Sequence, residues 1–279
     1  MRVTILGSGT LVPTGVRGPA GYAVEVGGKI LLLDGGSGTL RRLAEARLDY
    51  RQIDHLFYTH IHPDHTADLV PFLFAQRHTP GFTRERDLWV YGPRGFTSFY
   101  ERWTAVVERW ITGGAYAVHV RELWESEIEC GGGVRIAVVP LRHSVAAVGY
   151  RITAPDGAVI AYTGDTDVTP AVSELAREAD VLIADCSTPD ETKVEGHLTP
   201  GLVGALAAAG GARMVVLSHL YPECDPVDLE AQCRRHFAGP IVRAHDLMRL
   251  EVRAGAEAIV EPAPGAVVRS APRSAGPVA

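Results

Sequence analysis

The sequence predicts an α+β fold in which two β-sheets pack face to face and helices cover their outer surfaces. Short apolar runs rich in β-branched residues recur in both halves of the chain, and many of them are bounded by glycine turns. Segments with apolar residues at helical spacing lie between these runs. Of the 279 residues, 46% are hydrophobic and 22% are charged, so the chain has ordinary globular composition and can bury a sizeable core.

The individual elements follow from these patterns. Strands are predicted at residues 3–6, 22–26, 30–33, 87–91, 134–141, 149–153, 158–162, 181–184, 214–217 and 241–244. The first three are expected to form an antiparallel meander. Helices are predicted at residues 37–50, 66–77, 96–111, 169–179, 200–210 and 227–237. We expect residues 1–261 to form one domain, and residues 262–279, rich in Pro, Ala, Gly and Ser, to be a disordered tail.

A dense group of metal-binding residue types follows an early apolar run. It contains His60, His62, Asp64 and His65. Neutral imidazole and carboxylate groups suit zinc and its neighbours. His60 and His62 are two positions apart, so an extended backbone directs both to the same side, whereas Asp64 and His65 follow a predicted turn. The pattern favours two adjacent metal positions over a chance group of histidines on a solvated loop.

Three more side chains of this kind follow predicted strands within a few residues. They are His143, Asp165 and His219. Loops at strand ends are fixed by the sheet and remain open to ligands. If these strands share one sheet system, we expect their polar side chains to converge at one edge.

Together these motifs resemble the metallo-β-lactamase superfamily. The matching segments are His-x-His-x-Asp-His at 60–65, His143, Gly164-Asp165-Thr166 and Ser218-His219-Leu220. Segments 6–10, 162–166, 196–200 and 218–222 are similar in detail to its ribonuclease Z-like branch. The resemblance runs from residue 3 to about residue 252, and it implies a four-layer αββα sandwich.

The resemblance also implies a ligand set and two catalytic roles. The implied ligands are His60, His62 and His143 for one zinc ion, Asp64, His65 and His219 for the other, and Asp165 as the bridge. Two Zn(II) ions are the expected cofactor, although Mn or Fe suits the same ligands. His197 is expected to assist the leaving group, and Asp64 to orient the attacking hydroxide. For His197 the alternative is a histidine at a helix entry that only hydrogen-bonds backbone.

Charge and size favour a small phosphodiester as the substrate. Two Zn(II) ions, two aspartates and a bridging hydroxide leave a site of roughly +1, which attracts an anion. Long-form bacterial ribonuclease Z carries a tRNA-gripping arm between the counterparts of His143 and Asp165, and here that interval holds only two predicted strands. The expected enzyme is a dinuclear metal-dependent phosphodiesterase that acts on a small or nucleotide phosphodiester through a metal-bound hydroxide.

Three alternatives stay open. The chain could be a tRNA 3′-processing endonuclease, an acyl or sulfate ester hydrolase such as a lactonase or arylsulfatase, or a metal-binding protein without catalysis. RNA is the less favoured partner, because the net charge is −6 and the sequence has no basic block. The segment after Met1 has no long apolar run and no segment reaches membrane-spanning length, so we expect a soluble cytoplasmic protein. A homodimer is expected from the branch it resembles.

Several other features are assigned no catalytic role. His55, His78, His119, His236 and His245 are expected to be surface or packing residues. The glycine loop at 7–10 lacks the lysine and spacing of a phosphate-binding loop, so it is expected to be a tight turn. Asp34 follows a predicted strand, and the role considered for it is support of the metal ligands.

Overall fold

The computed structural model describes residues 1–263, apart from the side chain of Arg109. The predicted tail therefore lies outside the described residues, except for its first two positions. The strands are β1 (Arg2–Gly7), β2 (Gly21–Val26), β3 (Lys29–Leu33), β4 (Ile53–Phe57), β5 (Leu88–Gly92), β6 (Val118–Glu122), β7 (Ser126–Glu129), β8 (Arg135–Leu141), β9 (Ala147–Thr153), β10 (Val159–Tyr162), β11 (Val181–Asp185), β12 (Val215–Ser218), β13 (Ile241–Arg243), β14 (Arg249–Glu251) and β15 (Ile259–Glu261). The helices are α1 (Thr39–Glu45), α2 (Pro63–Thr66), α3 (Leu69–His78), α4 (Phe96–Val107), α5 (Pro170–Leu175), α6 (Pro200–Gly210) and α7 (Leu229–Arg234).

The strands form two mixed sheets. The first has the order β15-β14-β1-β2-β3-β4-β5-β6, and the second has the order β13-β12-β11-β10-β9-β8-β7. Antiparallel pairing of β1 with β2 and of β2 with β3 confirms the predicted meander. β9 pairs antiparallel with both β8 and β10, and β10, β11 and β12 are parallel, so β8, β10, β11 and β12 all run in the same direction.

Three apolar layers hold the molecule together. The largest lies between the two sheets, and one further layer lies on the outer face of each sheet, under the helices. β2 shows the pattern: Tyr22 and Val24 belong to the central layer, whereas Ala23 between them faces the outer layer. This helix–sheet–sheet–helix arrangement confirms the predicted αββα sandwich.

Some predicted elements were wrong in extent. The helix predicted at 66–77 is divided, because α2 ends at Thr66 and α3 begins at Leu69. The Asp68 carboxylate accepts hydrogen bonds from the backbone amides of Gly38 and Leu40, at 3.0 and 2.8 Å, which ties this position to the start of α1. The sequence also did not predict β6, β7, β14 and β15, which are short strands with charged residues near the sheet edges.

The topology brings the predicted strand ends together. β8, β10 and β12 end next to His143, Asp165 and His219 at one edge of the second sheet. β4 ends next to His60 in the first sheet. Between His143 and Asp165 the chain contains only β9, β10 and their connections, as predicted. Within residues 1–263, each helix is too short or too polar to cross a lipid bilayer.

Candidate metal centre

The segment after β4 positions the first four predicted ligands. His62 has extended backbone dihedrals, and α2 begins directly after it with proline in its first turn. The chain therefore changes from extended to helical between His62 and Asp64, as the sequence predicted. His60 and His65 are buried, whereas His62 and Asp64 are partly exposed.

Three histidines and one aspartate form the first donor set, which we call the three-histidine set. Its members are His60, His62, His143 and Asp165. The Nε2 atom of His143 lies 3.2 Å from Nδ1 of His62 and 3.9 Å from Oδ2 of Asp165. The Nε2 atom of His60 lies 3.6 Å from the same oxygen.

A second donor set, which we call the two-histidine set, lies on the other side of Asp165. Asp64, His65 and His219 converge there. The Nε2 atoms of His65 and His219 are 3.3 Å apart, and they lie 3.2 and 3.4 Å from Oδ1 of Asp165. Oδ2 of Asp64 lies 3.4 Å from Nε2 of His219. Each oxygen of Asp165 thus faces a different set of donors.

Hydrogen bonds at the Nδ1 atoms fix how the buried rings are oriented. His65 donates to Asp34 at 2.8 Å, and His143 donates to the carbonyl oxygen of Gly196 at 2.9 Å. His219 lies 3.0 Å from the hydroxyl of Ser187, which itself donates to a carboxylate. In these tautomers the Nε2 lone pairs of all three rings point into the centre.

The spacing of the donor atoms suits coordination of metal ions better than hydrogen bonding among the side chains. Two ring nitrogens 3.2–3.3 Å apart have the separation expected of two ligands on a tetrahedral zinc with bonds of about 2.0–2.1 Å. Among the described residues, the buried Nε2 of His60 and Oδ1 of Asp165 have no hydrogen-bond partner. Unpaired buried polar atoms are costly, and a cation in the three-histidine set would satisfy Nε2 of His60 while one in the two-histidine set would satisfy Oδ1 of Asp165.

Electrostatics keeps His60, Asp64 and Asp165 in the protonation states that bind metal. At His65, burial is outweighed by Asp165 and Asp34, which raise its pKa well above its ordinary value, so metal binding there would displace a proton. Burial and the neighbouring His65 hold the pKa of His60 well below its ordinary value, so the ring is neutral. Burial alone would raise the pKa of Asp165, but the adjacent His219 and His65 hold it well below its usual range. The pKa of Asp64 is also lowered: burial opposes the charged form, and the hydrogen bond with His219 outweighs it.

Asp34 supports the two-histidine set through its hydrogen bond with Nδ1 of His65. Its backbone is left-handed, with φ of 54°, at the turn after β3. Its carboxylate accepts hydrogen bonds from the backbone amide and hydroxyl of Thr59, from His65, and from the hydroxyl of Tyr162 at 2.6 Å. This network orients the loop that carries the first histidines and the ring of His65 together, which is the supporting role considered for Asp34.

His197 lies beside the centre and does not belong to the predicted ligand sets. Its Nδ1 is 3.0 Å from Oδ2 of Asp185, 2.9 Å from the Ser187 hydroxyl and 3.9 Å from Oδ2 of Asp165. Burial disfavours the protonated ring, but the hydrogen bond and charge of Asp185 raise the pKa of His197 to about 9. The ring therefore carries a proton that it can donate at neutral pH.

Sequence analysis missed Asp185 and Ser187, although one signal was present. Asp185 ends the buried strand β11, in the same way that Asp165 and His219 follow β10 and β12. The glycine loop at 7–10 is not the expected tight turn: β1 ends at Gly7, Gly9 forms bridges with Pro19 and Leu220, and the amides of Ser8 and Gly18 both donate to Asp246.

Comparisons of the sequence and of the structure with known proteins agree with one another. Residues 30–220 match the family model described as the beta-lactamase superfamily domain. Ribonuclease Z of Methanosarcina acetivorans is 27% identical over 90% of this chain and 98% of that protein. The crystal structure of a metallo-beta-lactamase fold protein from Bacillus subtilis aligns with a TM-score of 0.77 at 23% identity, covering 89% of this chain and 98% of that chain. A diphosphatase from the PhnP family aligns with a TM-score of 0.67 at 23% identity, covering 90% and 97%.

Proposed function

The chain belongs to the metallo-β-lactamase superfamily and resembles its ribonuclease Z-like branch, and from this premise we propose that it is a dinuclear phosphodiesterase acting on small or nucleotide phosphodiesters. Membership makes it a metal-dependent hydrolase. The observation that carries the proposal is the position of Asp165 between two donor sets, with one oxygen directed at each. The three-histidine set and the two-histidine set would each hold one ion, Zn(II) being the proposed metal.

The charge of this centre suits an anionic substrate. Two divalent ions bring a formal charge of +4, and Asp64 and Asp165 reduce it to about +2 before any bound water is counted. Ions held there would supply an activated water at neutral pH and stabilise negative charge as it develops. A phosphodiester gains from both effects.

Two side chains of the protein are assigned direct roles. Asp64 is ionised and its side chain is 15% exposed, so its carboxylate can orient the attacking water by accepting a hydrogen bond. His197 is protonated and is held through Nδ1 by Asp185. Its other nitrogen, Nε2, is left to donate a proton to the leaving oxygen.

Hydrolysis of bis-p-nitrophenyl phosphate in the presence of Zn(II) or Mn(II) tests the proposal. Turnover should depend on added metal and should be abolished in His62→Ala. His236→Ala is the matched control, because His236 is exposed and lies outside both donor sets. Metal-loaded wild-type protein that leaves the substrate intact would count decisively against phosphodiester hydrolysis.

One second candidate has specific support. The ribonuclease Z of Methanosarcina acetivorans aligns over 98% of its own length, so this chain spans nearly the whole of that protein. A tRNA 3′-processing activity is the corresponding alternative, and cleavage of precursor tRNA at the 3′ end of the acceptor stem would establish it. The same panel should include a lactone and an aryl sulfate, because a cationic centre also stabilises the oxyanions of those reactions.

We also propose that the protein forms a homodimer. Helix α4 exposes Trp103 and Val106, which are 41% and 77% accessible. A second copy of the chain would cover this apolar surface. Light scattering after size-exclusion chromatography should give twice the mass of one chain, and a monomer mass at all concentrations would exclude the dimer.

A further inference from the structure

A small cavity opens beside the three-histidine set. Its volume is about 230 Å³, and its lining residues are Arg142, His143, Ser144, Asp167, Glu195 and Gly196. The Ser144 hydroxyl lies 3.5 Å from Nε2 of His62, so the cavity is adjacent to the metal centre. Its volume is below the roughly 300–1,000 Å³ of pockets that enclose drug-sized ligands. It fits a single ring system or sugar.

The inner wall of the cavity is fixed by the protein's own contacts. The Asp167 carboxylate accepts hydrogen bonds from the amides of Gly196 and Val168, at 2.8 and 2.7 Å, and pairs with the Lys193 ammonium at 2.9 Å. This carboxylate is therefore already satisfied and its charge is neutralised. It gives the cavity its shape and does not attract a cation.

The two remaining charged groups are free to contact a ligand. Arg142 and Glu195 are exposed, and neither side chain forms a hydrogen bond or ion pair with another residue in the range 1–263. The Arg142 guanidinium offers donors only, and the Glu195 carboxylate offers acceptors. Because one positive and one negative group remain, the cavity has no excess positive charge for a second phosphate.

We propose that this cavity binds one part of the nucleoside of a nucleotide phosphodiester, its base or its sugar, with Arg142 donating to an acceptor and Glu195 accepting from a donor on that group. The inference rests on the proposed phosphodiesterase function and names its substrate class. The cationic metal centre would bind the phosphate, and the neutral cavity beside it would bind the nucleoside group that is esterified to the phosphate. Bases and sugars present donors and acceptors close together, which matches this pair of side chains.

The first test compares two substrates in variants of the two charged cavity residues. Arg142→Gln and Glu195→Gln are each assayed with a 3′,5′-cyclic nucleoside monophosphate and with bis-p-nitrophenyl phosphate, which lacks hydrogen-bond donors. The ratio of kcat/KM for the nucleotide to that for the aryl diester should fall about tenfold in each variant, through KM, as expected for the loss of one charged hydrogen bond at an exposed site. Arg177→Gln and Glu257→Gln, which change exposed residues elsewhere, should leave the ratio unchanged.

Binding gives a second readout that does not require turnover. By calorimetry, the affinity for a nucleoside 5′-monophosphate relative to inorganic phosphate should fall about tenfold in the two cavity variants. Equal ratios in variants and wild type would overturn the inference, as would wild-type protein that cleaves the aryl diester and binds nucleotide no better than phosphate. Protein that cleaves no phosphodiester while its binding ratio responds to both variants would refute the phosphodiesterase and retain the nucleoside cavity.

Discussion

Replacing His197 by asparagine should reduce hydrolysis in a way that depends on the leaving group. The ring is anchored through Nδ1 to Asp185 and Ser187, at 3.0 and 2.9 Å, and Nε2 remains for the substrate. An alkoxide needs a proton as it leaves, whereas p-nitrophenolate leaves readily as an anion. Loss of a general acid therefore slows the hydrolysis of substrates with an alkoxide leaving group and changes the hydrolysis of p-nitrophenyl substrates little.

The expected magnitude follows from how accessible this ring is. A positioned general acid contributes about 10²–10⁴-fold. The side chain of His197 is 13% exposed, so water can reach the same position and replace part of the proton donation. We therefore expect the lower part of that range, a loss of about 10²–10³-fold in kcat for an alkyl diester such as a cyclic nucleotide.

The assay measures kcat for both substrate types in the wild type, in His197→Asn and in His236→Asn. His236 is exposed and lies outside the site, so its variant controls for the loss of a histidine. Metal content is measured on the same samples. Equal losses on aryl and alkyl substrates, with metal content preserved, would refute the general-acid role and leave His197 as a structural neighbour of the centre.

Three further predictions concern the stability of the fold. Asp34→Ala should lower stability by at least about 3 kcal/mol in urea unfolding and weaken metal binding about 10–100-fold by titration, because buried donors including His65 lose their acceptor; unchanged metal affinity would contradict this. Gly164→Ala should lower Tm, because φ is 58° there and a Cβ would lie 2.5 Å from Cβ of Thr59; an unchanged Tm would contradict it. Burial and Lys29 lower the pKa of His55 to about 4, so the stability that the neutral ring provides is complete above pH 6.5 and is lost as the pH falls through 4, by up to about 3 kcal/mol; His55→Phe should flatten this part of the pH–stability curve, and an identical curve would refute the assignment.

The sequence predicted the layers of the fold and the residues of the centre for one physical reason. Strands that run in the same direction end at the same edge, so side chains that follow those ends converge. His143, Asp165 and His219 each follow such an end, and the structure brings them next to His60. Their role as metal ligands stays a prediction.

The contacts that orient the ligands were harder to predict. Asp185 is 12 positions from His197, Asp34 is 31 positions from His65, and each pair meets only in the folded structure. Local patterns carry no information on such pairings. The same reason explains the interrupted helix near Asp68, because the hydrogen bonds that pin Asp68 come from amides about 30 positions earlier.

The central claim is that two metal ions are held by two donor sets that share Asp165. Elemental analysis of purified wild-type protein, alongside Asp165→Ala, tests it most directly. We predict about two transition-metal ions per chain in the wild type and fewer than about one in the variant. Wild-type protein that hydrolyses its substrate at full rate without any transition metal, or a variant that keeps both ions, would contradict the account.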